Sequence, residues 1–281
     1  MNSPAQKVGV FDSGVGGLTV VKEIFRKLPR EEVVYFGDTG RFPYGTRSKE
    51  VIQGFSEQAT KFLLAQDVKI IVVACNTASA QALSFLKQNY PLPILGVIEP
   101  GVKRALATTK NKRIGVIGTE GTIASNSYAE ALRQIDPSVK VFSYPCPLFV
   151  SLAEEGYINK KATYLIAQDY LKPLIKAKVD TIILGCTHYP LLKNVIQKVV
   201  KNKVKLVDSA EAIALETKKV LEKRNLLNDN HKPNPKFYVS DQPEKFSKLA
   251  RRFIQQDINS VEKIDINKYG STALTILKNS Q

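Results

Sequence analysis

The fold class follows from residues 69–79, KIIVVACNTAS. The first six residues, Lys69–Ala74, are apolar after the lysine and rich in β-branched side chains, which predicts a buried strand. A helix is expected from about Ala78 to Gln88. Similar strands alternate with helices along most of the chain. Because a strand covered on both faces carries an unbroken apolar run, this alternation predicts an α/β protein with mostly parallel sheets flanked by helices.

The strand pattern of the first half begins again in the second half. Arg113–Ile117 (RIGVI) resembles Lys7–Phe11 (KVGVF), and Thr181–Leu184 (TIIL) resembles Ile70–Val73 (IIVV). We therefore expect two related α/β halves with pseudo-twofold symmetry and a cleft between them.

Composition excludes several classes of protein. No run of about 18 apolar residues is present, so we expect no membrane span. Met1–Lys7 lacks the layout of a signal peptide, and we expect a cytoplasmic protein. The three cysteines do not suit a disulfide framework, and with only two histidines, His188 and His231, we expect no metal site. His231 lies in a polar segment and is expected at the surface.

The net charge of +15 is the compositional feature that suggests nucleic acid. The lysines are scattered over polar helix faces and turns, without interleaved aromatic residues. We expect a lysine-rich solvated surface, and a polyanion-binding secondary role remains the alternative.

The first motif is the turn DSGVGG, Asp12–Gly17, between a strand and a helix. Glycines allow a positive φ and close approach of a ligand to the backbone, and the following helix N-terminus favours an anion. A dinucleotide fingerprint needs a glycine where Thr19 stands. The turn therefore predicts a cradle for a small carboxylate. A tight turn capped by Asp12 or Ser13 is the alternative.

The second motif is Cys75-Asn76-Thr77, at the end of the strand that opened this section. Ligands of parallel sheets bind at the carboxyl ends of strands. A helix N-terminus is expected to lower the pKa of Cys75 below the usual value of about 8.5. Asn76 and Thr77 suit the head group of an amino acid. An inert buried cysteine is the alternative for this turn alone.

A second turn, Gly185–Pro190 (GCTHYP), repeats the order of strand, cysteine and polar residues. His188 is placed to assist Cys186. Cys146, in the sequence YPCP, lacks this setting and is expected to be structural. Two cysteines facing each other across a cleft suit stereoinversion, since one thiolate can remove a Cα proton while the opposite thiol delivers one. A Cys–His protease would not explain the second cysteine.

Two further segments are weak signals by themselves. Phe36–Thr39 (FGDT) leads to Pro43-Tyr44-Gly45, a turn able to present backbone N–H groups and a ring to a ligand. Glu154 and Glu155 are typical of a solvated helix end.

In combination these motifs resemble bacterial glutamate racemases, over most of the chain up to about residue 255. The resemblance implies two α/β domains, residues 1–98 plus 207–281 and residues 99–206. It implies no pyridoxal phosphate, no metal and no other cofactor, and interconversion of L- and D-glutamate that supplies D-glutamate for peptidoglycan. The motifs are, in chain order, DSGVGG (12–17), FGDTGRFPYG (36–45), ACNTAS (74–79), IEPG (98–101) and GCTHYPLL (185–192).

The resemblance also implies roles for individual residues. Cys75 would deprotonate the D-substrate and Cys186 the L-substrate. A further acidic residue matches Glu154 or Glu155, of which we favour Glu154. The residues implied to assist the thiols are Asp12, Asp38 and His188. The residues implied to contact substrate are Asp12, Ser13, Tyr44, Gly45, Asn76, Thr77, Thr187 and His188.

Substrate, assembly and regulation are less constrained. An aspartate or related amino-acid racemase of the same superfamily is the alternative, because no residue in the sequence indicates on physical grounds how long the side chain of the substrate is. A homodimer is expected, nucleic acid is not expected as a partner, and a membrane is excluded. Some members depend on a cell-wall precursor through an N-terminal extension. Only Met1–Gln6 precede the first strand, so we expect no such dependence.

Overall fold

All strand pairings in the computed structural model, which describes residues 3–229, 233–256, 258 and 260–272, are parallel. His231 lies outside the described residues, so its expected surface position stays a prediction. The strands are β1 Lys7–Asp12, β2 Val33–Gly37, β3 Val68–Val73, β4 Ile94–Gly96, β5 Arg113–Gly118, β6 Lys140–Pro145, β7 Thr181–Gly185, β8 Lys205–Asp208, β9 Lys236–Val239 and β10 Val261–Lys263.

Helices connect the strands and cover both sheets. None of the described helices combines the length and apolar character needed to cross a membrane. The helices are α1 Leu18–Lys27, α2 Lys49–Ala65, α3 Asn76–Gln81, α4 Leu83–Asn89, α5 Ile98–Thr108, α6 Glu120–Ala124, α7 Ser127–Ile135, α8 Leu148–Glu154, α9 Lys161–Lys176, α10 Lys193–Val200, α11 Ser209–Lys223 and α12 Pro243–Ile254, with 3-10 turns at Tyr44–Thr46, Tyr189–Leu192 and Ile266–Lys268.

The two sheets share one strand order, which confirms the repeat. The larger sheet runs β10-β9-β2-β1-β3-β4 and the smaller one β6-β5-β7-β8. The four strands β2-β1-β3-β4 thus correspond in position to β6-β5-β7-β8. The cysteine turns follow β3 and β7, which are equivalent strands. The expected α/β class with parallel sheets is confirmed.

The chain crosses between the sheets twice. It leaves the first sheet after β4 and enters α5, and it returns after β8 through α11. Ile213, Ala214 and Leu221 of α11 pack in the same core as Val8 and Val10 of β1. The larger sheet is therefore completed by residues from both ends of the chain.

Several elements differ from the sequence-based expectations. The helix expected over 78–88 is two helices, and the first begins at Asn76 because the Cys75 sulfur accepts the Ala78 N–H and caps it. The sequence did not predict α5. Pro100 lies in its first turn, where a backbone N–H has no partner within the helix, so the proline costs no hydrogen bond. The sequence after about residue 255 predicted no strand, but it contains β10, which pairs with β9.

A buried ion pair joins β3 to two loops. Lys69 on β3 and Glu31 before β2 have side chains 0% and 1% exposed, and Lys69 Nζ lies 2.7 Å from Glu31 Oε2. The ammonium also donates to the carbonyls of Pro4 and Leu226, each at 2.7 Å. Burial lowers the pKa of Lys69, and the hydrogen bond and charge of Glu31 oppose this shift. The pair therefore ties the N-terminal segment and the loop after α11 to the first sheet.

Replacing Lys69 by Met is expected to lower the free energy of unfolding by about 3–5 kcal/mol, because it leaves the Glu31 carboxylate buried without its cation. Urea unfolding followed by circular dichroism measures the loss. Lys103→Met is the matched control, since Lys103 pairs with Glu99 at the surface, with side chains 54% and 61% exposed. The control should lose less than about 1 kcal/mol. Equal losses in the two variants would contradict the prediction.

Candidate active site

Three turns at the carboxyl ends of strands meet between the sheets. The turn after β1 carries Asp12, the turn after β3 carries Cys75, and the turn after β7 carries Cys186. The Thr187 hydroxyl donates to Asp12 Oδ1 across the two sheets, at 3.4 Å. The Thr19 hydroxyl donates to the Thr187 carbonyl at 3.1 Å. These contacts bring the two cysteine turns to one place.

The glycine turn allows this approach. A Cβ on Gly16 would lie 2.3 Å from Thr187 Oγ1 and 2.5 Å from His188 Nδ1, so no other residue fits there without movement of the second cysteine turn. The glycines of this turn do not adopt a positive φ; among the described glycines, that conformation occurs at Gly156, outside the turn. The expectation of close approach is correct, and it is the protein's own second turn that approaches.

Asp12 is fully buried beside these contacts. Its Oδ2 accepts the Gly14 N–H at 3.0 Å. Burial raises the pKa of Asp12, whereas the charge of His188 and the hydrogen bonds from Gly14, Gly17 and Thr187 lower it. Asp12 is thus a titratable carboxyl group located among the groups that would contact substrate.

The Cys75 thiol is nearly buried, with 4% of the residue exposed. It donates to Ser13 Oγ at 3.6 Å and accepts the Ala78 N–H at 3.5 Å. The expected depression of its pKa is wrong. Burial, reinforced by the charge of Asp12, raises the pKa of Cys75 to about 12 and outweighs the N–H contact at the six-residue helix α3. Cys75 therefore rests as a thiol, able to donate a proton.

The Cys186 thiol has a different partner. Its sulfur lies 3.9 Å from His188 Nδ1, and His188 Nε2 lies 2.9 Å from Glu154 Oε1. Glu155 ends the same helix at the exposed surface, so the structure brings Glu154, and not Glu155, to the site. Cys186, His188 and Glu154 form a chain of titratable groups, referred to below as the Cys186 relay.

His188 is held in a charged form by this relay. Burial disfavours the imidazolium, but hydrogen bonds to Cys186 and Glu154 and their charges outweigh it and raise the pKa of His188 to about 10. The ring packs between Phe42 and Phe253, with centroids 5.8 and 5.4 Å away. The imidazolium of His188 therefore lies next to the Cys186 sulfur.

Sequence reasoning missed the residues that enclose the relay. Phe42 lies within the motif FGDTGRFPYG, but only the ring of Tyr44 was assigned to the site from the sequence. Arg252, on α12, donates to the carbonyl of Glu154, and Phe253 follows it. The α12 residues lie more than 60 positions from His188 in the chain, and no local motif marks them.

Asp38 occupies a place beside Tyr44. Its Oδ2 accepts the Tyr44 hydroxyl at 2.5 Å and Arg41 Nε at 2.7 Å, and its Oδ1 accepts the Ser240 hydroxyl at 2.8 Å. Neither thiol is among the hydrogen-bond partners of Asp38 in the described residues. Asp38 therefore bonds Tyr44, and the assistance to the thiols that the resemblance implied stays a prediction.

The other predicted contact residues lie where the two sheets meet. Thr77 Oγ1 is 3.0 Å from Thr119 Oγ1 and 3.1 Å from Thr122 Oγ1. Gly45 lies against Thr119, which would be 2.9 Å from a Cβ at that position. Asn76 Oδ1 accepts the hydroxyl of Tyr128, which lies on α7, at 2.6 Å.

Cys146 lies outside the two cysteine turns and packs in the same core cluster as Cys186. It is fully buried, and its carbonyl accepts the Tyr189 hydroxyl at 2.8 Å. Burial raises the pKa of the Cys146 thiol. Its contacts are those expected of a structural cysteine.

The cavity lined by Cys186, Asn76 and Thr187 has a volume of only about 10 Å³. That space holds at most one water molecule, and Cys75 is not among the described residues that line it. A much larger surface cavity of about 630 Å³ lies elsewhere, between α5, β8 and α11. In the described residues, His, Cys, Asp and Glu side chains form no group of three suited to a metal ion.

Known proteins match both the sequence and the architecture. The family model described as Asp/Glu/Hydantoin racemase matches residues 8–217. The glutamate racemase of Geobacter metallireducens is 49% identical over 264 residues, covering 94% of this chain and 98% of that protein.

Two solved structures show the same fold. Glutamate racemase isoform RacE1 from Bacillus anthracis superposes with a TM-score of 0.90 at 42% identity, covering 93% of this chain and 98% of that one. Glutamate racemase from Francisella tularensis, solved in complex with D-glutamate, gives 0.89 at 40% identity, covering 95% and 100%. The chain therefore belongs to the Asp/Glu/hydantoin racemase family, and within it to the glutamate racemases.

Proposed function

We propose that this protein interconverts L- and D-glutamate by two-base proton transfer at Cα, with Cys75 and Cys186 as the two bases. The observation that carries the proposal is the pair of nearly buried thiols at the ends of β3 and β7, equivalent strands of two sheets with one strand order. The charge of Cys186 also contributes to the raised pKa of Cys75, which supports their closeness. A substrate between them would present one face to each sulfur.

The two thiols have different neighbours, and this difference supports the proposed directions. Cys186, as the thiolate beside the protonated ring of His188, removes the Cα proton of L-glutamate. Cys75, with its raised pKa, delivers the proton of its thiol to the opposite face and becomes the thiolate. In the reverse direction Cys75 is the base and Cys186 the acid. Each turnover exchanges the protonation states of the two sulfurs, and proton exchange with solvent restores them.

Hydrogen bonds must stabilise the charge that develops on the substrate, because the proposed reaction uses no cofactor. The donors nearest the thiols are polar groups from both halves of the protein. Because they converge at a buried place, where the effective dielectric constant is low, each hydrogen bond to the developing charge is stronger than in water. The proposed substrate contacts are Asp12, Ser13, Tyr44, Gly45, Asn76, Thr77, Thr187 and His188.

The substrate is assigned as glutamate on the names of the relatives and on the D-glutamate complex of the Francisella protein. Supply of D-glutamate for peptidoglycan and a cytoplasmic location belong to the same proposal. Residues 1–98 plus 207–281 and residues 99–206 are proposed as its two domains, a division supported by the crossings at α5 and α11.

A homodimer is also part of the proposal. Most large apolar side chains that stay exposed lie in the second domain, among them Leu148 and Leu165, which are 51% and 49% exposed. An interface over such side chains would remove them from water.

In D₂O, each enantiomer of glutamate should give product with deuterium at Cα, because the acid thiol exchanges its proton with solvent. At early times the remaining substrate should stay protiated, since the opposite thiol acts only as base. Mass spectrometry of both enantiomers measures this. Aspartate run beside glutamate should show a much lower kcat/KM. Protiated product would exclude the two-base scheme, and preference for aspartate would overturn the substrate assignment.

Cys75→Ala and Cys186→Ala should each lower net racemisation by roughly 10²- to 10⁴-fold, the range found when a general acid or base is removed. Cys146→Ala is the matched control and should keep kcat, because within the described residues the Cys146 thiol forms no hydrogen bond with either proposed base and pairs with the Tyr144 carbonyl. Circular dichroism assays with both enantiomers measure the rates. Full activity in either of the first two variants would exclude that cysteine as a base.

Glu154→Gln should lower the pKa of His188 from about 10, because the variant removes the carboxylate charge that stabilises the imidazolium. The imidazolium then loses its proton at lower pH, so the alkaline limit for the reaction of L-glutamate should move down. NMR titration resolves this well, since His188 and His231 are the only histidines. Glu155→Gln is the control. A His188 pKa unchanged in Glu154→Gln would overturn the relay.

A further inference from the structure

We propose that Tyr128 is a positioning residue which holds the side-chain amide of Asn76 in one orientation, with Nδ2 turned to the substrate. This inference rests on the proposed function, in which Asn76 contacts substrate. It adds a residue of the second domain that acts on the first cysteine turn.

The backbone around Tyr128 fixes the direction of its ring. Tyr128 lies on α7 and is only 2% exposed, in a core shared with Val102 and Leu132. A Cβ on Gly185, the residue before Cys186, would lie 3.2 Å from Tyr128 Cε2 and 2.7 Å from the Ile117 carbonyl. The ring therefore sits directly against the end of β7, and a larger residue at Gly185 would displace it.

The phenol hydroxyl of Tyr128 donates to Asn76 Oδ1 at 2.6 Å, and Ser209 Oγ lies 3.3 Å from that hydroxyl on α11. Burial raises the pKa of Tyr128, and the nearby charge of Cys186 adds to this, so the phenol keeps its proton. Because the two ends of a side-chain amide differ in hydrogen-bonding character, this donor selects the orientation with Oδ1 toward Tyr128.

The other end of the amide is then available to a ligand. Within the described residues Asn76 Nδ2 donates to no protein acceptor, and Asn76 lines the small cavity that Cys186 and Thr187 also line. Asn76 directly follows Cys75, so an N–H donor at this place faces the negative charge that develops at the substrate carboxylate during proton removal. The opposite amide orientation would direct an oxygen toward that charge.

The contact also crosses the domain boundary. Asn76 begins α3 in the first domain, whereas Tyr128 belongs to the second, and the 2.6 Å bond exists only while the two are together. Closure of the site on a substrate would therefore orient the donor at the same time.

Tyr128→Phe tests the inference, because it removes the hydroxyl and keeps the ring. We expect kcat/KM for both enantiomers to fall about 10-fold, mainly through kcat, with little change in melting temperature. In an Asn76→Ala background the same change should have no further effect. Tyr170→Phe is the matched control: it removes a hydroxyl of the same domain that bonds only the Leu148 N–H, at 3.3 Å.

Two outcomes overturn the inference: unchanged kinetics in Tyr128→Phe, or an equal loss with Asn76 present and absent, which would indicate a merely structural role. A second measurement needs no turnover. The side-chain amide resonances of Asn76 should shift in Tyr128→Phe and stay in place in Tyr170→Phe; unmoved resonances in both would also overturn it. If the wild-type protein fails to racemise glutamate while these resonances shift, the proposed function fails and the Tyr128 contact stands.

Discussion

The close approach of the turns after β1 and β7 is the constraint on which the site depends. Thr187 donates to Asp12 across the sheets, and Gly16 leaves the space that Thr187 and His188 fill. This approach brings a thiol from each repeat close enough for the charge of Cys186 to act on Cys75. The Tyr128–Asn76 contact uses the same closeness, and so does the packing of Phe42 and Phe253 against His188.

The two repeats have the same strand order and different chemistry. Burial and the charge of the neighbouring Asp12 carboxyl group raise the pKa of Cys75, whereas Cys186 lies 3.9 Å from the ring of His188, which Glu154 holds. A symmetric reaction at Cα thus proceeds between unequal groups. The protonated thiol of Cys75 suits proton donation, which is one half of the exchange in the proposed two-base reaction.

Much of this could be read from local sequence. The apolar strands before Cys75 and Cys186 and the glycines at 14, 16 and 17 are short-range signals, and the strands they predicted are present. The pKa of Cys75 was expected to fall, because the sequence shows a helix N-terminus after it and does not show that the sulfur is buried beside Asp12. Arg252 and Phe253 were missed for a similar reason, since packing against His188 leaves no mark in the residues around them.

The sequence by itself determined the parallel α/β class and the repeat and marked two strand-end cysteines, because strand periodicity, turn glycines and strand-end polar residues are local properties of the chain. Tertiary structure alone decided that Glu154 and not Glu155 reaches His188, that Asp38 bonds Tyr44, and that Tyr128 bonds Asn76. These are contacts between distant segments. Burial and partner geometry, which set both pKa and hydrogen-bond orientation, exist only once the two sheets have come together.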